Sequence, residues 1–138
     1  MKHLIAVVIS IAACLLSNAQ FVQHISDMKP RGEWENVAIE KIADDSLCTT
    51  FLIWVKGGVK HHFHASHTES VYVISGSGTM DLGNEQKEIN AGDYILIPKG
   101  TVHAVVAKEP LQILSTQTPQ WLTDDRKFVE PLRRPAKD

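Results

Sequence analysis

From Trp34 onward the chain alternates short apolar runs with turn-forming residues, and no helical period of useful length interrupts them. Val37–Ile42 ends at Asp44-Asp45. Thr49–Val55, rich in β-branched and aromatic residues, is stopped by Gly57-Gly58. Lys60–His64 and Ser70–Ile74 follow, the second closed by Gly76-Ser77-Gly78. Thr79–Leu82 and Gln86–Ile89 read as a hairpin across Gly83-Asn84. Tyr94–Ile97 lies between Ala91-Gly92-Asp93 and Pro98-Lys99-Gly100, and Thr101–Ala107 and Leu111–Thr116 form a final pair around Glu109-Pro110. Many short strands at roughly ten-residue spacing predict an all-β fold, a closed sandwich or barrel.

Both ends depart from this pattern. Met1-Lys2-His3 is a short basic start, Leu4–Leu16 an almost unbroken apolar run, and Ser17-Asn18-Ala19 offers small residues to a signal peptidase. Residues 1–19 are therefore expected to be a secretory signal, which makes the protein periplasmic or secreted, with Gln20 first in the mature chain. Two alternatives stand beside this: an uncleaved N-terminal anchor, and a lipoprotein in which Ile11-Ala12-Ala13-Cys14 is the lipobox. Residues 20–33 read as a surface lead-in, 34–117 as one barrel domain and 118–138 as a tail. Within the tail, Thr123–Val129 is expected to form a helical turn capped by Thr123 or Asp124, or else to stay irregular, before Pro131 ends it.

Composition then narrows the partners. With Lys2 removed, 13 basic residues face 16 acidic ones, a formal charge of −3. No basic stripe suits nucleic acid, and the mature chain is expected to meet a membrane only if lipidated at Cys14. A small-molecule substrate or ligand remains. Loss of Cys14 with the signal leaves Cys48 without an intramolecular partner, which excludes a disulfide framework. Cys48 precedes Phe51 in an apolar run and reads as a buried, inert thiol.

The chemistry concentrates in His62-Phe63-His64-Ala65-Ser66-His67-Thr68-Glu69, answered later by His103. Imidazoles and a carboxylate are the usual nitrogen and oxygen donors for a divalent transition metal. In an extended strand His62 and His64 project from one face, and His103 shares its face with Val105. If these side chains converge the protein holds a metal; otherwise they pair with one another or with water in a barrel mouth. His61 alternates away from this face and is expected to point outward. His67, in the loop before Glu69, reads by default as a surface histidine; its functional reading is a proton shuttle or a partner behind the ligands. Tyr94, Trp54 and Met80 read as core or rim residues.

These residues resemble the cupin superfamily closely. The first cupin motif is met by His62, His64, Glu69 and Gly76, with Gly57 one residue nearer the histidines than is usual. The second is met by Gly92, Pro98, Gly100 and His103, with Ala107 where an asparagine often stands. The resemblance spans residues 34 to 117 and implies a single-domain jelly-roll β-barrel, a double-stranded β-helix. It also implies one divalent metal (Fe, Mn, Ni, Cu, Co or Zn) on His62, His64, Glu69 and His103. Glu69 would double as a base, as in related dioxygenases, and homodimers are common in the family. A metalloenzyme on a small oxygen-rich substrate is the leading expectation, dioxygenase-like first, isomerase or lyase next, with Glu69 and His67 as its catalytic residues. A non-catalytic ligand- or metal-binding module and a dimer with a structural metal are the alternatives.

Overall fold

The computed structural model describes residues 22–131, so the expected signal at 1–19, the lipobox ending at Cys14 and the last residues of the tail lie outside it. One 8-stranded sheet contains β1 (Val37–Asp44), β2 (Thr49–Val55), β3 (Gly58–His64), β4 (Thr68–Leu82), β5 (Glu85–Asn90), β6 (Tyr94–Ile97), β7 (His103–Thr118) and β8 (Arg126–Phe128). All pairings are antiparallel. The architecture is the expected all-β double-stranded β-helix.

Two of the strands are longer than the turn signals suggested. Gly76-Ser77-Gly78 does not end a strand, and neither does Glu109-Pro110; each is a corner inside a continuous one. Residues Thr68–Leu82 pair with His103–Thr118 throughout, with register shifts between Val73 and Gly78. At the corner Gly76 has φ +86°, and a Cβ built there would lie 2.2 Å from the Pro110 carbonyl oxygen. Only a glycine permits that approach. Pro110 has no N–H to donate to the ladder, which suits a place where the register breaks.

The corner folds the ladder into two facing sheets. One joins β1, β2, the second half of β7, the first half of β4, and β6; the other joins β8, β3, the first half of β7, the second half of β4, and β5. Between them Val55, Val71, Val73, Met80, Ile97 and Leu111 form the core. Fully burying each such aliphatic contributes about 1.5–3 kcal/mol. Met80 is thus core, as expected. Trp54 is buried on the opposite face from Phe51 and Ile53, where Gln112, its partner in register, donates to the Ile25 carbonyl at 2.7 Å. The lead-in therefore covers an outer face of the barrel rather than merely lying on the surface.

Two local expectations change. Cys48 is only half-buried, because Asp45 Oδ1 accepts the Leu47 and Cys48 amides and turns the chain there instead of continuing the strand. The helical turn expected over Thr123–Val129 is absent. Arg126–Phe128 pairs instead with His62–His64, and the Val129 amide bonds to the His61 carbonyl at 3.0 Å. The exposed edge of β3 offers this segment more hydrogen bonds than an isolated helical turn would.

The corner predicts a graded response to added methyl groups. Gly76→Ala combines a strained φ with a backbone clash and should cost more than about 2 kcal/mol. Gly83→Ala, at φ +54° with no atom within 4 Å of the added Cβ, should cost about 1 kcal/mol. Urea denaturation of the two variants measures the difference, and equal midpoints would refute the corner's role.

Candidate metal centre

Register brings the expected donors together. His62 sits opposite His103 across β3 and β7, and His64 follows two residues on, so all three imidazoles leave one sheet on its inner face. Glu69 comes from the facing sheet, opposite Ile97 on β6 and Gln117 on β7. All four are buried, Glu69 to 6% exposure. The ring centroids of His62 and His103 are 4.2 Å apart, and those of His64 and His103 5.5 Å. Ligand atoms of His62, His64 and His103 lie within 4.8 Å of one another.

Each imidazole is pinned from behind. His62 Nδ1 donates to the Lys60 carbonyl at 2.8 Å, and His103 Nδ1 to the Thr101 carbonyl at 2.9 Å. A carbonyl can only accept, so the proton sits on Nδ1 and Nε2 keeps its lone pair. His64 Nδ1 lies 3.0 Å from Asp125 Oδ1. The Nε2 atoms of His64 and His103 each lie 3.3 Å from Glu69 Oε2, while Glu69 Oε1 accepts the Ser115 hydroxyl at 2.5 Å. His103 Nε2 is buried without a well-aligned hydrogen bond. Such an arrangement fits a metal, which would satisfy nitrogens that the protein itself leaves without good partners.

The electrostatics agree. Burial, and then the neighbouring His103 ring, push His62 down to about 4, leaving it neutral and free to donate its lone pair. Burial also opposes charge on His64, but the Glu69 and Asp125 carboxylates outweigh it and raise its pKa above the ordinary value. Burial alone would raise Glu69; the adjoining His103 and His64 rings and the Ser115 hydroxyl instead hold it well below the usual carboxylate range.

His61 faces away and pairs with Asp81 at 2.8 Å, as its alternation predicted. His67 is not a surface residue: it is 4% exposed, with Nδ1 2.9 Å from Asp125 Oδ2, Nε2 3.3 Å from the Gln120 carbonyl, and its ring stacked on Trp121 at 5.0 Å. It is placed in the wall behind His64 and does not line the central cavity. Tyr94 is 65% exposed and bonds to Ser70 on the outer face.

Sequence reasoning did not single out Asp125. Its carboxylate spans His64 Nδ1, the region of His67 Nδ1 and the amides of Ser66 and His67, at 2.6 and 3.2 Å for the amides. Burial works against its charge, but His64 and the Ser66 amide hold its pKa down to about 2. Its only signal in the sequence is a pair of acidic residues in a polar tail. Trp121 also comes from that tail, with its ring 5.6 Å from that of His64 and edge-on to Phe51.

Beside the donors is a cavity of about 260 Å³ with a mostly aliphatic wall, to which the tail contributes Trp121, Asp124 and Arg126. If Asp125 positions His64, Asp125→Ala should weaken metal binding about 10–100-fold. His61→Ala, on the outer face, should leave it unchanged. A competitive chelator titration with Zn(II) or Co(II) measures both; an unaltered affinity in Asp125→Ala would show that the carboxylate serves the loop alone.

The family model for a cupin domain matches residues 50–116. An uncharacterised protein of Aquifex aeolicus is 31% identical over 83 residues, which cover 60% of this chain and 69% of that protein. Quercetin 2,3-dioxygenase of Bacillus subtilis is 32% identical over 69 residues, 49% of this chain but 20% of the enzyme. Among solved structures, an uncharacterised double-stranded β-helix protein of Klebsiella pneumoniae superposes with TM-score 0.68 at 19% identity, covering 82% of this chain and 99% of that one. The matched segment runs from β2 nearly to the end of β7 and takes in His62, His64, Glu69 and His103, and on that ground the chain belongs to the cupin family.

Proposed function

We propose that the protein is an exported cupin metalloenzyme with one divalent transition metal on His62, His64, Glu69 and His103, acting on a small oxygen-rich substrate in dioxygenase-like fashion. One observation carries this reading: three imidazoles pinned through Nδ1 converge beside a buried carboxylate at the floor of a cavity. When bound, the ion would supply Lewis acidity and, if redox-active, chemistry with dioxygen. The aliphatic wall would exclude bulk water from the substrate, and Glu69, whose Oε2 faces the imidazoles, would serve as the base on leaving the ion transiently. Ser115 keeps the other oxygen of Glu69 in place. His67 would act through Asp125, fixing the direction of His64. The partial match to the Bacillus dioxygenase supports oxygen chemistry ahead of isomerase or lyase chemistry.

A second reading, ligand capture without turnover, is favoured by the cavity lining. Apart from the four donors, its titratable residues are Asp124 and Arg126, and these bond to each other. The two readings separate in one experiment. Metalloenzyme activity requires that His64→Ala lose both metal and turnover, whereas His67→Ala keeps metal and turns over more slowly. Turnover that persists in His64→Ala sinks the metalloenzyme, and a ligand that stabilises the protein yet is recovered unchanged establishes capture.

Export and self-association belong to the same proposal. The basic start, apolar run and small residues ending at Ala19 support cleavage there, and protein recovered from outside the cytoplasm should begin at Gln20 on N-terminal sequencing. A start at Met1 would overturn this, and a lipidated Cys14 would establish the lipoprotein. The exposed Tyr72, Tyr94 and Leu96 on neighbouring strands support pairing into a homodimer.

A further inference from the structure

Gln117 has a defined orientation and an unmet need. It leaves β7 on the same face as Leu111, Ile113 and Ser115, lines the cavity and is 3% exposed. Ser115 donates its only hydroxyl proton to the Glu69 carboxylate, which can do nothing but accept. The Ser115 oxygen must therefore accept from Gln117 Nε2, at 3.2 Å. A flipped amide would set two acceptors against each other, so the relay fixes Oε1 as the amide atom turned away from Ser115. That oxygen is buried and has no hydrogen-bond partner among the described residues. A buried acceptor left unpaired is costly, and in a cavity wall it points to a donor on whatever occupies the cavity.

The rest of the cavity sets the occupant's other properties. Val37, Ile39, Phe51, Ile53, Val71 and Ile97 make its wall apolar. Its volume of about 260 Å³ matches roughly nine water molecules, the size of one ring with a few substituents. Arg126 is already paired with a carboxylate, since Asp124 accepts from its Nε at 2.9 Å and its Nη2 at 2.6 Å, which weakens its pull on an anion. Glu69 and Asp124 further disfavour a carboxylate.

We propose that the cavity selects an uncharged, single-ring molecule that turns one oxygen toward the histidine centre and donates a hydrogen bond from another hydroxyl to Gln117 Oε1. The oxygen toward the centre rests on the metalloenzyme reading; the donor to Gln117 does not. Gln117 is on this account the residue that tells a hydroxylated ring from its capped or bare counterpart.

Calorimetric titration of the full mature chain, metal-free and Zn(II)-loaded, with catechol, 2-methoxyphenol, 1,2-dimethoxybenzene, benzoate and glucose tests this. Catechol should bind more tightly than 1,2-dimethoxybenzene by at least about 10-fold in both forms of the protein. In Gln117→Met that preference should collapse in the metal-free form, with the melting temperature confirming that the variant folds. The methylation series on the unaltered protein stands even if the variant does not fold. A preference seen only with Zn(II), a preference unchanged in Gln117→Met, tighter binding of benzoate or glucose, or no binding of the phenols at millimolar concentration overturns the proposal. A Gln117-dependent preference in a protein that takes up no metal would instead sink the metalloenzyme reading and leave this one standing.

Discussion

The contact between the β4 backbone at Gly76 and the carbonyl of Pro110 sets the geometry on which the site depends. Without it β4 and β7 would form one long, gently twisted ladder, and Glu69 would lie far along that ladder from His103. Bending both strands at one level turns the ladder back on itself. Glu69 then approaches His64 and His103 from the facing sheet, so the donors converge across the barrel and not along one strand. The metal centre is thus a consequence of a packing constraint remote from it, and the glycine that permits the bend carries no chemistry of its own.

Once the sheets face each other, orientation of the donors is the remaining problem, and it is solved from behind. Two imidazoles use backbone carbonyls two residues before them in the chain, which costs no additional side chain. At His64 a carboxylate from the C-terminal segment takes that place. The difference matters electrostatically. A carboxylate behind an imidazole raises its basicity more than a carbonyl does, in keeping with the opposite shifts of His62 and His64. The tail is therefore part of the centre: it supplies Asp125 behind one ligand and Trp121 in the wall of the cavity.

The strands, the inward pair His62 and His64, the outward His61 and the partners Glu69 and His103 were legible because each follows from period-two alternation or from motif spacing within about ten residues. What was not legible depends on contacts that no local pattern encodes. Arg126–Phe128 is a short strand in a charged, proline-flanked segment, and only the free edge of β3 makes it a strand. Asp125 and the burial of His67 follow from that pairing, so both escaped a reading that treated the tail as a capped turn. Glycine and proline signal a turn and a bend in the same way, so the sequence predicts strand ends at Gly76 and Pro110 where the strands only bend. Gln117 lay on the inward alternation of β7, but its unpaired oxygen is visible only once Ser115 and Glu69 stand next to it.

The relay from Gln117 through Ser115 to Glu69 also makes the two halves of the site interdependent. Each hydrogen bond in such a chain polarises the next, by about 10–30%. A hydroxyl donating to Gln117 Oε1 makes its Nε2 a better donor to Ser115, which in turn becomes a better donor to Glu69 Oε1. Glu69 then holds slightly less negative charge at Oε2, beside His64 and His103. A cation at the centre draws on the same carboxylate from the other side. Occupancy of the cavity and occupancy of the centre are thus coupled through one carboxylate, and linkage requires that each alter the other's affinity by the same factor. Along this relay alone the coupling is mildly unfavourable. It turns favourable only for a ligand that also touches the ion, which separates molecules bound by the barrel wall from those bound by wall and metal together.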